Sequence, residues 1–489
     1  MNRRRFLRVL GAAGLGAAAA GCTLGRRARG AEPARGSRPN ILFIFIDDMG
    51  WRDVGFMGSQ FYETPNIDRL ARGGMIFTNA YANAPNCAPT RACLMSGQYG
   101  PRHGVYTVSN SNRGNAKARK LIPIKNNTTL PANKITLAES LKKAGYATCH
   151  LGKWHLGGDA ETKPEGQGFD HNVGGNHAGS PRSYFSPYKN KDIADGPKGE
   201  YITDRLSDEA IRFIDAHRDQ PFFLYLPHYA VHTPLQAKKD LVAKYKNKSP
   251  WNGQGNAVYA AMVESVDQGV GRILAHLDER GLTEKTLVIF FSDNGGVGGY
   301  KACGIKGNEI TSQAPLKGGK GMLAEGGIRE PMAVRWPGHV PAGATCEAPV
   351  IGIDFYPTLL EVAGAKPPPD YPLDGESIVP LMTQSGALKR DAIFWHFPAY
   401  LQGGSNTWRT TPGGVIRMGD WKLIEYFEDG RLELYNLRND IGETTNLATK
   451  MPEKTKELHN RMLAWRKELG APVPTEKNPK FDPSTRSPA

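Results

Sequence analysis

Asn40-Ile41-Leu42-Phe43-Ile44-Phe45-Ile46 runs straight into Asp47-Asp48, and the reading of these nine residues decides the fold class. A strand with one wet face alternates apolar and polar residues. An unbroken β-branched and aromatic run is what a strand buried on both faces of a parallel sheet requires. Residues 146–150 (YATCH), 221–226 (PFFLYL) and 286–291 (TLVIFF) share this character. Between them, residues 137–144, 207–217 and 259–280 carry apolar positions at helical spacing. Strands alternating with helices predict an α/β fold, a large, mainly parallel or mixed sheet sandwiched by helices. Each strand run ends in polar residues: Asp47-Asp48, Lys153 and His155, His228 and His232, and Asp293-Asn294. The carboxyl edge of an open α/β sheet is where ligands bind, so these ends predict one site.

Outward from this stretch the character changes twice. After about residue 385, residues 414–422, 422–427 and 431–436 read as short strands. Residues 452–469 read as a helix with Leu458, Met462 and Trp465 on one face. At 489 residues the chain suits a large domain with a smaller one appended. Before residue 39, Asn2-Arg3-Arg4-Arg5-Phe6-Leu7-Arg8 matches a twin-arginine export pattern, and residues 9–20 are Ala/Gly-rich, apolar and too short for a stable span. Ala19-Ala20-Gly21-Cys22 reads as a lipobox, in which Cys22 becomes a lipidated N-terminus attached to a membrane. Ordinary signal-peptidase cleavage nearby is the other reading. The expected organisation is an export signal in 1–22, a linker in 23–38, the site-bearing domain in 39–385, a C-terminal domain of antiparallel sheet and helix in 386–470, and an extended tail in 471–489. The expected location is the periplasm or cell surface.

Hydrophobic content of 39% with a mean hydropathy of −0.46 marks a soluble globular body and excludes a disordered chain. Net charge is +14, or +10 once the four arginines of residues 1–21 leave with the signal. The basic residues form no long run, which speaks against a nucleic-acid partner and leaves a solvated surface or a basic pocket. Of six cysteines, Cys22, Cys87, Cys93, Cys149, Cys303 and Cys346, none stands in a C-x-x-C pair, so a zinc ribbon is excluded and no disulfide is expected.

Cys87 opens Cys87-Ala88-Pro89-Thr90-Arg91-Ala92-Cys93-Leu94-Met95-Ser96-Gly97. Taken alone, it also reads as a small buried thiol. The string resembles the formylglycine signature, C-x-P-S/T-R, of the type I sulfatases in the alkaline phosphatase superfamily. Further blocks follow the same family in order: 39–50, 64–68, 152–157, His232, 292–295, 318–331 and 420–447. The resemblance covers most of residues 39–450. It implies an alkaline-phosphatase-like fold and hydrolysis of sulfate esters. It also implies a formylglycine-generating maturation enzyme that oxidises Cys87 to an aldehyde. As its hydrate, this group offers one hydroxyl to attack sulfur and another to expel sulfate afterwards.

By the same resemblance, one Ca²⁺ is held by Asp47, Asp48, Asp293, Asn294 and the oxidised Cys87; all-oxygen ligands suit a hard cation. Arg91 then holds the hydrated aldehyde, and Lys153 binds nucleophile and sulfate. His155 is the base that later releases sulfate. His232, preferred to His228, protonates the leaving oxygen, and Lys320 touches that oxygen and the sulfate. Lys317 is expected to be peripheral, and Glu325 and Arg329 structural.

Segments 107–125, 174–188 and 396–409 are the candidate pocket walls, with His177, Arg182, His396 and Arg409 as substrate-binding residues. Arginine can hold hydroxyls or further sulfates, and aromatic rings can stack on sugars. The loops resemble those of bacterial sulfatases acting on galactose- or N-acetylgalactosamine-type glycans, which implies an exo-acting enzyme on a sulfated glycan, a 4-sulfate preferred. Two other readings stand beside it: a phosphonate or phosphate monoester hydrolase of the same superfamily, and a non-catalytic glycan-binding lipoprotein.

Overall fold

A computed structural model describes residues 38–403 and 407–486. The export signal with Cys22, and the linker up to residue 37, lie outside the described residues.

The opening run forms β1 (Asn40–Ile46), buried along its whole length. Its two faces enter different cores. Leu42, Ile44 and Ile46 pack with helices Ile202–Ala216 and Ala257–Glu279, whereas Ile41, Phe43 and Phe45 pack with helices Leu137–Lys143 and Phe355–Val362. This double burial explains the absence of alternation in the sequence. The sheet also contains β2 (Met75–Tyr81), β3 (Ala147–Leu151), β4 (His171–Val173), β5 (Phe222–Pro227), β6 (Thr286–Ser292), β7 (Arg329–Arg335), β8 (Ala344–Cys346) and β9 (Val350–Ile351). The strand order is β4-β3-β5-β1-β6-β7-β2-β8, with β9 also paired to β2. From β4 to β6 all pairs are parallel, and β7 is antiparallel to both neighbours. The sheet is mixed, as expected. β2 and β7 escape the sequence pattern because β2 is half exposed in places and β7 opens Arg-Glu-Pro.

The chain continues with β10 (Ala392–Phe397), β11 (Leu401–Gln402), β12 (Trp408–Thr410), β13 (Gly413–Met418), β14 (Trp421–Tyr426) and β15 (Arg431–Asn436). Strands β10-β13-β14-β15 form an antiparallel sheet, and β11-β12 a ribbon. The strand expected over 414–422 ends at Met418, because Gly419-Asp420 turn the chain into β14. Helix Pro452–Leu469 buries Leu458, Met462 and Trp465, the predicted face. These join a core with Tyr81, Tyr99 and Ile328 of the larger sheet region, so the C-terminal sheet is fused to it. At that seam Lys422 lies 2.9 Å from Glu325 and 2.8 Å from Glu443, all fully buried. Residues beyond the last helix fold back on the 107–125 segment: Ile122 N donates to Glu476 O (2.9 Å) and Asn478 N to Lys120 O (2.9 Å).

Candidate active site

The carboxyl ends of β1, β3, β5 and β6 meet as the sequence predicts. Asp47 and Asp48 follow β1, and Asp293 and Asn294 follow β6; all four are buried. Facing them is the helix Cys87–Ser96, with Cys87 as its first residue and all ten residues buried. One ligating atom from each of Asp47, Asp48, Cys87 and His232 lies within 4.8 Å of the other three.

Cations answer these carboxylates at short range. Lys153 Nζ is 2.7 Å from Asp47 Oδ2, and Lys320 Nζ is 2.7 Å from Asp48 Oδ1. Arg91 forks onto Asp293 Oδ2 through Nε (2.9 Å) and Nη2 (2.7 Å), and donates through Nη1 to Lys153 O (2.9 Å). Such charge-assisted, bidentate contacts are the strong ones in a buried setting. Arg91 thereby ties the Cys87 helix to the ends of both β6 and β3. Lys153 and His155 reach the site from beyond the end of β3. The segment after β3 is irregular, and His155 sits at φ +64°, a left-handed conformation shared by Asp48 at φ +63°. Strained backbone of this kind gathers at functional sites.

The balance of charge remains unfavourable to the carboxylates. Burial, then neighbouring Asp47, pushes Asp293 up to about 6. Burial likewise raises Asp47, against the pull of Lys153. Asp48 is also penalised by burial, but Lys320 and His232 outweigh this and hold it low. Two buried oxygens, Asp47 Oδ1 and Asn294 Oδ1, lack any hydrogen-bond donor. Asn294 Nδ2 meanwhile donates to Asp48 Oδ1 (2.8 Å). Three converging carboxylates, two orphaned oxygens and a hard, oxygen-rich donor set fit a divalent cation at Asp47, Asp48, Asp293 and Asn294. Both oxygens of Asp293 are engaged by Arg91 and the Asp48 amide (3.2 Å), as both oxygens of Asp48 are by Lys320 and Asn294.

His232 Nδ1–H donates to Thr233 O (2.6 Å), which turns the Nε2 lone pair toward Asp48 Oδ2 at 3.6 Å. His155 is pushed well below the usual histidine range by burial and then by Lys153, so its ring is neutral. His228, the rival candidate, is fully buried with both ring nitrogens unpartnered and lies outside the cavity lining.

A cavity of about 510 Å³ opens over Cys87, His155, His232 and Lys320, walled by Arg113 and Arg409. Arg409 is where the sequence reading puts it. His396 is not: it is a β10 residue packed against Phe427 and Trp465, with Nε2 against Pro472 O (2.8 Å). His177 and Arg182 line a neighbouring hollow of about 330 Å³, which shares Ser180 with the first. Lys317 points away to Tyr435 and Glu443, and Glu325 and Arg329 lie at the seam, as expected. Three contributors were not singled out. Asn86, at the helix-capping position, donates instead to Thr107 (3.1 Å), Ser180 joins the two hollows, and Tyr300 donates to Lys320 O (2.8 Å). Of these, only Asn86 had a sequence signal, its place immediately before Cys87.

Residues 39–365 match the family model described as Sulfatase. The chain belongs to the sulfatase family. Residues 319–468 of this sulfatase also match the model described as N-sulphoglucosamine sulphohydrolase, C-terminal. It is 35% identical over 516 residues to a sulfatase of Formosa agariphila, covering 89% of this chain and 90% of that protein. It is 34% identical over 412 residues to the N-acetylgalactosamine-6-sulfatase of Mus musculus, covering 77% and 74%. Among solved structures, Ps i-CgsB in complex with k-i-k-neocarrahexaose superposes with a TM-score of 0.72 at 33% identity, covering 88% and 92%. The phosphonate monoester hydrolase of Agrobacterium radiobacter, at 21% identity and TM-score 0.66, shares the fold alone. The sulfatase is a sulfuric ester hydrolase.

Proposed function

We propose that this sulfatase removes sulfate from galactose- or N-acetylgalactosamine-configured saccharides, with Cys87 matured to formylglycine and Ca²⁺ at the strand edge. The observation that carries this reading is the convergence of Cys87, His155, His232 and Lys320 on one cavity, with Cys87 and His232 also within ligating reach of Asp47 and Asp48, to which Lys153 and Lys320 are paired. Asp47, Asp48, Asp293 and Asn294, with the oxidised Cys87, would hold the cation, which would supply Lewis acidity toward the sulfate oxygens. Oxidation of Cys87 supplies, on hydration, one hydroxyl to attack sulfur and a second to release sulfate.

The chain's own residues do the rest. Lys153 and Lys320 neutralise charge on the sulfate oxygens, in a site dry enough to make that contact strong. Arg91, locked to Asp293, fixes the Cys87 helix relative to the strand ends. His232 is pulled down to about 3 by burial and then by Lys320, so its ring enters the reaction neutral. An anionic ester arriving beside Nε2 favours uptake of a proton from solvent at that nitrogen, and this proton then passes to the departing sugar oxygen. His155, neutral and lining the cavity, accepts the proton whose removal lets sulfate leave.

Export to the periplasm or cell surface, with or without a lipid on Cys22, belongs to the same proposal. It is supported by the twin-arginine pattern and the lipobox.

The test uses protein co-produced with a formylglycine-generating enzyme, with conversion read as loss of sulfur and gain of oxygen in the Cys87 peptide. Sulfate release is then followed on galactose and N-acetylgalactosamine saccharides sulfated at position 4 or 6. Release from these but not from aryl phosphate is expected. Fully converted protein that releases no sulfate from any of them overturns the proposal.

A further inference from the structure

The catalytic cavity carries more positive charge than a single sulfate ester requires. Lys320 faces the reacting centre, while Arg113 and Arg409 sit in the wall. No aspartate or glutamate stands among the residues that line this cavity. Among the described residues, neither arginine forms an ion pair with any carboxylate, although most arginines of this protein's buried networks do. Arg409 Nε is buried with no hydrogen-bond partner.

The fold holds the Arg409 side chain in place and fixes the backbone of the loop that carries Arg113. The Arg409 guanidinium stacks on Tyr300 at 4.5 Å, and Tyr300 in turn donates to Lys320 O. Gly321 permits this approach, since a Cβ there would meet Arg409 Cδ at 2.9 Å and Leu401 at 2.5 Å. Arg113 belongs to the loop whose carbonyls Arg119 gathers, accepting from its Nη1 at Asn112 O (2.6 Å) and Arg113 O (2.9 Å). Gly114 lies so close to Trp408 that a Cβ would stand 2.7 Å from its ring, which brings Arg113 alongside Arg409. The two guanidinium groups repel: burial, then Arg409, pulls Arg113 below the usual arginine range. Two fixed like charges without a counter-ion are unfavourable unless the ligand brings one.

Building on the sulfatase reading above, we propose that Arg113 and Arg409 form a second oxyanion subsite, so that the preferred substrate carries another acidic group, a sulfate ester or a uronate carboxylate, beside the sulfate that is removed. A planar guanidinium fork is matched to either group, where a hydroxyl engages only one donor.

The experiment compares kcat/KM on a singly sulfated disaccharide with that on the same disaccharide bearing a second sulfate, and on one bearing a uronate. The second-sulfate and uronate arms identify which group the subsite takes. A preference of at least about ten-fold for one of the doubly acidic saccharides is expected, the scale of one charge-assisted contact. Arg113→Gln alters a side chain that makes no hydrogen bond or ion pair among the described residues, and should cut that ratio several-fold. The double variant Arg113→Gln/Arg409→Gln should bring it close to one. Affinities of the Cys87→Ala protein for the same saccharides, by calorimetry, read the subsite without turnover. A ratio near one in the unaltered protein by both measures, or a ratio unchanged in the double variant, overturns the subsite. Retained binding preference with no sulfate release from any saccharide overturns the proposed reaction and leaves the subsite standing.

Discussion

Two buried charge clusters lie at opposite ends of the 318–331 segment, and they are built on contrary principles. At the strand edge, Asp47, Asp48 and Asp293 converge with Lys153, Lys320 and Arg91, yet Asp47 Oδ1 and Asn294 Oδ1 are left without donors and two carboxyl groups are pushed upward. At the seam, Glu325 takes Lys422 at 2.9 Å and Tyr81 at 2.7 Å, and Glu443 takes Lys422 at 2.8 Å and the Glu325 amide at 2.7 Å. Both Glu325 oxygens have donors, and Glu443 Oε1, though without a hydrogen bond and raised by burial, is ion-paired with Lys422 at 2.8 Å; at the edge, Asp47 Oδ1 and Asn294 Oδ1 have no such close partner. Burial of charge by itself therefore does not mark a functional site. Incomplete satisfaction is informative where several groups converge beside an open cavity, because there a ligand can recover its cost; His228 and Glu330 are unpartnered too, but outside the cavity lining.

The contrast is broken most directly by removing the nucleophile. Cys87→Ala should lower turnover by roughly 10⁴-fold or more, the scale for deleting a covalent catalyst, while the thermal midpoint stays close to that of the parent. Near-full sulfate release by this variant would falsify the edge as the reacting site. Removing the seam cation should do the reverse. Lys422→Met leaves Glu325 and Glu443 buried without their shared cation, and should cost about 3–5 kcal/mol in urea unfolding. A loss below about 1 kcal/mol would show that the seam is no better satisfied than the edge.

Acid unfolding gives the smallest and most graded comparison. Burial alone would raise Glu325, but Lys422, Arg329 and Arg417 outweigh it and pull the group down to about 2. A carboxyl held below its unfolded value stabilises the fold when ionised. That stabilisation is present above pH 4.5 and lost as pH falls toward 2. It amounts to about 3 kcal/mol, and Glu325→Gln should flatten the stability profile over that window. A profile unchanged by the substitution would mean that Lys422 is balanced chiefly by Glu443.

The edge was far more legible in the sequence than its surroundings. Asp47-Asp48 and Asp293-Asn294 follow strands too apolar to mistake, and Cys87, Arg91, Lys153, His155, His232 and Lys320 stand in short blocks with a fixed order. Helix Pro452–Leu469 was readable from its spacing alone. What failed depended on long-range placement. His396 is close in sequence to Arg409, but β10 carries it under Trp465 and Phe427 while the chain doubles back through β11 and β12 to reach the cavity. His177 and Arg182 line the neighbouring hollow that shares Ser180 with the cavity. β2 was missed because it is only partly buried, and β7 because it is buried yet opens with the polar Arg329-Glu330 before Pro331.

The return of residues 476–478 along Lys120 and Ile122 gives the chain's last segment influence over a wall it never enters. Asn478 Nδ2 donates to Ala116 O and Arg119 O, and Arg119 in turn collects the carbonyls around Arg113. Selectivity for the glycan can thus drift through changes near the C-terminus while the reacting groups, anchored on central strands, stay as they are. Evolution or an engineer could retune which sugar is accepted by rewriting a surface strap, with the chemistry left untouched.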